Sequence, residues 1–214
     1  MALSRHLTRE HHRRRIQHMD RTAHQHEALQ SYLDQWKLSD PEPLAKTVTS
    51  DLYKVRASGQ TAVWKILSEV GVKDERHAAD VLQWYGGHGA IQLLRDDPSA
   101  ILIEYVDGEE LTELVKSGED DEATKIIADV LNKIHFVSQS ETPHDLPPLQ
   151  QRFQSLFDKA DQNQKSNSIF TRAATMARHL LLDQSRAHVL HGDIHHGNIL
   201  HHRERGWLAI DPKG

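Results

Sequence analysis

Apolar residues recur at helical intervals in several stretches of this chain, and β-like stretches lie between the first of them. Leu29, Tyr32, Leu33 and Trp36 in "EALQSYLDQWK" (27–37) predict a first helix. "LSDPEP" (38–43) carries two prolines and predicts its end. Three strands are predicted next, at 45–50, 51–57 and 61–67, with "SGQ" (58–60) as a turn, which together make an antiparallel meander. Helical spacing returns over 73–85, where Ala78, Val81, Leu82 and Tyr85 fall on one side, and "GGHG" closes that helix. "AIQLL" (90–94) and "AILIEYV" (100–106) predict two more strands around the turn "RDDPS". After Val106 the pattern becomes helical over 109–140, with Leu111, Leu114, Val115, Ile126, Ile127, Val130, Leu131 and Ile134 apolar. "TPHDLPP" (142–148) breaks it, and 149–160 and 168–183 read as two further amphipathic helices. Two short apolar strands around polar loops end the chain. The predicted class is α+β: a sheet-rich lobe over 27–104, then a helical lobe over 105–214.

Composition narrows the chemistry. No cysteine is present, which excludes disulfides, thiolate metal sites and thiol redox chemistry. The 214 residues contain no apolar run of membrane-spanning length and no secretory leader at the start, so the expectation is a cytoplasmic protein without a membrane partner. A net charge of -5 argues against a nucleic-acid binder overall. Residues 1–26 differ, with six arginines against Glu10 and Asp20, and six histidines. This basic extension is read as solvated and partly helical, with nucleic-acid contact as the rival reading.

Three places carry chemistry. In "HGDIHHGNIL" (191–200), Asp193 and Asn198 follow the apolar pair Val189-Leu190, and "WLAI" (207–210) delivers Asp211. Two carboxylates and a carboxamide at strand ends suit a base and two oxygen ligands for magnesium, as phosphoryl transfer requires. Plain turn residues are the alternative, since Asp and Asn favour turns. Lys65 is embedded in "AVWKIL", and a lysine in a buried strand needs a partner. Glu75 shares a helical face with Ala78, Ala79 and Leu82 and points inward; Asp80 falls on another face.

Together these residues resemble the kinase-like antibiotic phosphotransferases, in particular the aminoglycoside 6-phosphotransferase (streptomycin 6-kinase) and hydroxyurea phosphotransferase group. "HGDIHHGNIL", "RGWLAIDPKG", "WYGGHGAIQLL" and "DDEATKIIADVLNKIH" are similar to that group, over about residues 27–214. The resemblance implies a protein-kinase-like bilobal fold and ATP-dependent, magnesium-dependent phosphoryl transfer to a hydroxyl of an aminoglycoside-like small molecule. Asp193 would take or orient the substrate proton. Asn198 and Asp211 would hold Mg2+. Lys65, steadied by Glu75, would meet the α- and β-phosphates of ATP. Glu104, Tyr105 and Val106 would form the hinge against adenine. Ser50 and the turn after it would replace a glycine-rich phosphate loop, and no G-x-G-x-x-G stands there. His191 is expected to pack and hold the catalytic loop, with His195 and His196 as loop residues.

The sequence stops at Gly214, three residues beyond Asp211, where the group continues with further helices. The expectation is therefore an incomplete helical lobe that self-associates through its uncovered faces and has little turnover. A kinase-like chain without turnover, binding nucleotide or serving an interaction role, is the alternative.

Overall fold

The computed structural model describes residues 29–137, 143, 145–163, 167–182 and 188–213; the basic extension lies outside them. Helix α1, described over 29–36, lays Leu29, Tyr32, Leu33 and Trp36 on one face of a five-stranded antiparallel sheet. The strands are β1 (Leu38–Lys46), β2 (Ser50–Ala57), β3 (Gln60–Leu67), β4 (Leu93–Asp97) and β5 (Ala100–Glu104), in the order β1-β2-β3-β5-β4. Val55, Ala62, Trp64 and Leu102 form the α1 side of this sheet. The β2–β3 hairpin turns on Ser58 and Gly59, both at positive φ, which matches the twist of the two strands.

Helix α1 ends before the two prolines of "LSDPEP", as predicted, yet they do not open a loop. They lie inside β1, an edge strand, with register shifts between Ser39 and Glu42 and between Pro43 and Ala45. An edge strand tolerates missing N–H donors, and a bulge absorbs the irregular residues. The strand expected at 45–50 is instead the end of β1 and a turn. Thr47 Oγ1 accepts hydrogen bonds from the N–H of Thr49 at 3.2 Å and of Ser50 at 2.9 Å. Local side-chain acceptors of this kind compete with a ladder. The strand expected at 90–94 is divided as well. Ala90 and Ile91 bond to the last strand of the chain, and only from Leu93 does the backbone join the sheet. Arg95, Asp96 and Asp97, expected in a turn, are part of β4.

The helix expected at 73–85 is two helices, α2 (Glu69–Asp74) and α3 (Ala78–Tyr85), with Glu75 at the junction. Ser68 caps α2 by accepting from the Gly71 N–H at 3.1 Å. α3 ends at Gly86, as "GGHG" predicts.

In the second part, the helical stretch expected at 109–140 is α4 (Thr112–Lys116) and α5 (Asp120–His135), separated by a turn through Gly118. Acidic residues start α5 and Lys133 and His135 end it, in accord with the helix dipole. α6 (Leu149–Arg152), α7 (Gln154–Gln162) and α8 (Ile169–Leu182) follow. α7 and α8 pair through Phe157, Ala160, Ala174 and Ala177, a small core of their own. A hairpin of β6 (Ile199–His202) and β7 (Gly206–Ala209) completes the described chain. The main core joins both parts: Val81, Leu82, Tyr85, Ile101 and Ile103 pack with Leu111, Val130, Ile134, Ile199 and Leu208. No helix among the described residues is long and apolar enough to cross a membrane.

Gly71 is one of the places where this packing is tight. A Cβ there would lie 2.0 Å from the carbonyl oxygen of Thr49 in the β1–β2 turn. Helix propensity alone favours alanine over glycine by about 1 kcal/mol. Gly71→Ala is nevertheless expected to destabilise the fold by about 1–3 kcal/mol, the usual scale for overpacking. Urea unfolding of the two proteins checks this, and a stabilised variant would show that α2 and the turn do not touch.

Candidate active site

Lys65 lies in the middle of β3, paired with Leu52 on one side and Ile101 on the other. Its side chain faces away from the Trp64 side, and Leu52 and Val63 share its face by strand alternation. The residue is 4% exposed. Two carboxylates meet its ammonium: Glu75 and Asp211. Asp80 does not; it is 49% exposed and near His77. Glu75 therefore faces inward, but from a helix break and not from a continuous helix. Its N–H still bonds Gly71 O at 2.8 Å, while its own carbonyl takes the Ala78 N–H at 2.9 Å, one residue early for an α-turn.

The second oxygen of Glu75 accepts from Lys213 Nζ at 3.1 Å. Burial by itself would raise the Glu75 pKa; Lys65, with help from Thr49 and Lys213, outweighs it and holds the carboxyl below its ordinary range. Lys213 shows the converse. Burial pulls its pKa down, but the bond to Glu75 and the charges of Asp211, Glu75 and Asp193 leave it raised. The tetrad of Lys65, Glu75, Lys213 and Asp211 is thus charge-balanced. Lys213 lies in "RGWLAIDPKG", and nothing in the one-dimensional pattern gives it a role.

Asp211 follows β7 with φ at 57°, a left-handed conformation that Asp tolerates better than most side chains. Asn198 ends the short 3₁₀ turn His196–Asn198 that opens β6. Ile199 pairs with Ala209, and the Ile210 N–H bonds Asn198 O at 2.9 Å. The hairpin thereby brings Asn198 beside the residue that precedes Asp211. Asn198 Nδ2 donates to the carbonyl of Asp193 at 2.9 Å. Its amide oxygen is the atom that could serve as a ligand. With the Asp211 carboxylate this makes an all-oxygen pair, which fits a hard cation such as magnesium. Among the described residues, no group of three or more His, Asp or Glu side chains comes together to hold a metal.

His191 ties the two loops together. Its ring is buried, Nε2 lies 2.8 Å from Ile210 O, and Nδ1 accepts weakly from the Asp193 N–H at 3.4 Å. Those partners require the neutral tautomer with the proton on Nε2. Burial keeps the ring's pKa low, against the opposing pull of the Ile210 carbonyl and of Asp211 and Asp193. The His191 carbonyl also accepts from the Lys213 N–H at 2.8 Å. Asp193 itself is half-buried and borders a cleft with Lys73, Arg76, Arg152 and Lys213. His195 caps the 3₁₀ turn by accepting from the Gly197 N–H, and His196 lies within the turn.

Ser50 is placed differently from the expectation. The turn lies before it, at Thr47–Thr49; after it runs β2. Its hydroxyl is buried and bonded to Thr47 Oγ1 at 3.2 Å. Val48, at the tip of the turn, is 82% exposed. Glu104 is the last residue of β5, Tyr105 stands half-buried with the Lys54 ammonium 5.0 Å from its ring centre, and Val106 enters the main core. The three therefore occupy the connection between sheet and helices.

The chain is similar to known proteins in sequence and in fold. A sequence model described as aminoglycoside/hydroxyurea antibiotic resistance kinase matches residues 35–214. Streptomycin 3''-kinase of Klebsiella pneumoniae is 36% identical over 183 residues, covering 85% of this chain and 66% of that protein. Streptomycin 6-kinase of Streptomyces griseus is 29% identical, covering 85% and 59%. Hydroxyurea phosphotransferase of Kitasatospora aureofaciens is 30% identical, covering 85% and 54%. The chain thus spans somewhat over half the length of these relatives, and less than two thirds. Among solved structures, aminoglycoside phosphotransferase APH(4)-Ia superposes with a TM-score of 0.57 at 15% identity, over 87% of this chain and 70% of the other. That likeness supports the kinase-like α+β fold. With the match of the family model over most of its length, the chain belongs to the aminoglycoside/hydroxyurea antibiotic resistance kinase family.

Proposed function

We propose that the protein transfers the γ-phosphoryl group of ATP to a hydroxyl of a small molecule, an aminoglycoside such as streptomycin. The observation that carries this reading is the convergence of Lys65, Glu75 and Asp211 in one buried ion cluster, with Asp193 and Asn198 bonded into the loops beside it. The named activities of the relatives support an antibiotic hydroxyl as acceptor, and since they divide between the 3'' and 6 positions, the proposal stops at the hydroxyl.

In this reading Lys65 pairs with the α- and β-phosphates, and Glu75 keeps its ammonium in place. Leu52 and Val63 offer apolar surface to the adenine, and the backbone of Glu104–Val106 offers hydrogen bonds to its edge. The β1–β2 turn at 47–49 lies over the phosphates. Asn198 and Asp211 hold magnesium, which when bound neutralises charge on the polyphosphate. Asp193 orients the acceptor hydroxyl and takes its proton as the oxygen–phosphorus bond forms and the bond to the β-phosphate oxygen breaks. Positioning and charge neutralisation supply most of the acceleration in such a transfer.

Phosphate transfer from ATP to a panel of aminoglycosides tests the whole reading. Asp193→Asn is expected to keep nucleotide binding and lose turnover by about a hundredfold or more, the scale of a general base. Equal turnover in parent and variant would remove Asp193 from the mechanism. Nucleotide binding without transfer to any hydroxyl would favour a nucleotide-binding protein without turnover.

Lys65→Ala is expected to weaken ATP binding most, Glu75→Gln less, and Asp80→Asn hardly at all, because only Lys65 meets phosphate. Titration calorimetry orders the three. A damaging Asp80→Asn beside a silent Glu75→Gln would contradict the ion cluster.

Magnesium is expected to tighten ATP binding in the parent. That gain should vanish in Asp211→Ala and shrink in Asn198→Ala, since a charged ligand contributes more than a neutral one. A magnesium response unaltered in Asp211→Ala would assign the metal elsewhere.

A further inference from the structure

The closed end of the β6–β7 hairpin touches the chain segment that joins sheet to helices. Arg205, in the turn of that hairpin, spreads its guanidinium between two elements. Nη2 meets the carboxylate of Glu104 at the end of β5. Nη1 donates to the carbonyl of Gly87, in the loop between α3 and β4, at 3.1 Å. The Glu104 carboxylate has two more partners. It accepts from the Gln92 N–H at 3.0 Å, and His202 Nε2 lies 3.4 Å from its other oxygen. His202 is oriented by its own turn, because its Nδ1 accepts from the N–H groups of Glu204 and Arg205 at 3.1 and 3.2 Å. The side chains of Arg205 and Glu104 are only 28% and 19% exposed.

The opposite end of the same hairpin carries Asn198 and Asp211. Four residue pairs, Ile199–Ala209 to His202–Gly206, separate the two ends. That is roughly 10 Å at the usual rise per residue. A short two-stranded ribbon is a stiff spacer only if both ends are held. The His191 ring on the Ile210 carbonyl and the backbone bond from the Ala209 N–H to Gly89 O hold the Asn198–Asp211 end. At the other end Arg205 and His202 meet Glu104, beside the backbone bond from the His201 N–H to Glu109 O at 2.9 Å, and Arg205 alone also reaches Gly87.

We propose that Arg205 is a positioning residue for the nucleotide. By clamping Glu104 and the Gly87 carbonyl to the hairpin turn, it fixes the distance between the segment that meets the adenine and the residues that meet the phosphates. The proposal rests on the nucleotide-binding reading above. A guanidinium suits the task because its fork reaches two acceptors at once, whereas an ammonium at the same place holds only one of them firmly. A plain surface ion pair would contribute little and leave ligand binding unmoved.

The test compares the full chain with Arg205→Ala and Arg205→Lys. Amide deuterium exchange over 103–108, the dissociation constant for ATP with magnesium, and Tm are measured for each. Arg205→Ala is expected to speed exchange in that segment and weaken ATP binding by about tenfold, the equivalent of one strong charged hydrogen bond. Arg205→Lys should fall between parent and alanine variant. Tm should drop by no more than about 4 °C. Unchanged exchange at 103–108 in Arg205→Ala overturns the proposal. So does a lysine variant identical to the parent, or faster exchange spread evenly over the whole sheet. If the parent binds no nucleotide, the phosphotransferase reading fails, while the exchange comparison still decides whether Arg205 is a clamp.

Discussion

A lysine ammonium buried in the central strand of a sheet is the constraint around which this molecule is arranged. An uncompensated charge in such a place costs several kcal/mol, and removing one member of a buried pair typically costs about 3–5 kcal/mol. Lys65 is 4% exposed and meets that demand with Glu75, whose side chain is nearly inaccessible. Much of the local geometry follows from it. The helix after β3 breaks at Glu75, and the carboxylate turns inward at that break. Asp211 approaches from the far end of the chain in a left-handed backbone conformation. Lys213 then takes the remaining Glu75 oxygen and balances the second carboxylate. The pair Lys65–Asp211 is the looser side of the cluster, since Asp211 is 34% exposed. That asymmetry suits a lysine whose permanent partner is Glu75 and whose second partner can be exchanged for phosphate.

Around the cluster, backbone hydrogen bonds decide precision. His191 binds the Ile210 carbonyl with its ring and the Lys213 N–H with its own carbonyl, so the loop of Asp193 and the segment of Asp211 are joined into one piece. The β6–β7 hairpin adds Asn198 to that piece through Ile210. Its β7 strand also bonds Gly89 and Ile91 in the loop before β4, which links the piece to the sheet. The loops of the catalytic candidates are therefore held mainly by bonds to main-chain groups, which fixes where their side chains start.

Much of this was legible in the residue pattern, and the failures share a cause. The helical faces of α1, α5 and α8 followed from apolar spacing, because each buries one stripe. Lys65 and Glu75 were legible because a charge inside an apolar strand has to be matched by an inward-facing acid. The strand boundaries were not. Pro41 and Pro43 mark the end of α1 correctly, yet they also lie inside a strand, because an edge strand accepts them. Ala90 and Ile91 look like part of β4, yet their partner is β7, more than a hundred residues away. Ser50 looked like the start of a phosphate turn, yet Thr47 draws the turn to the residues before it.

What the sequence determined by itself is the set of chemical groups and the class of fold: a buried strand lysine, an inward glutamate, and Asp193, Asn198 and Asp211 at fixed short spacing around two apolar strands. Periodicity and the cost of burying charge act locally, so they can be read one segment at a time. What only the tertiary structure decided is which distant groups share a partner. Lys213 on Glu75, His191 on Ile210 and Arg205 on Glu104 and Gly87 join residues 19 to 138 positions apart. No pattern in one dimension specifies such contacts, because they depend on how the hairpin, the helix break and the sheet edge meet in space.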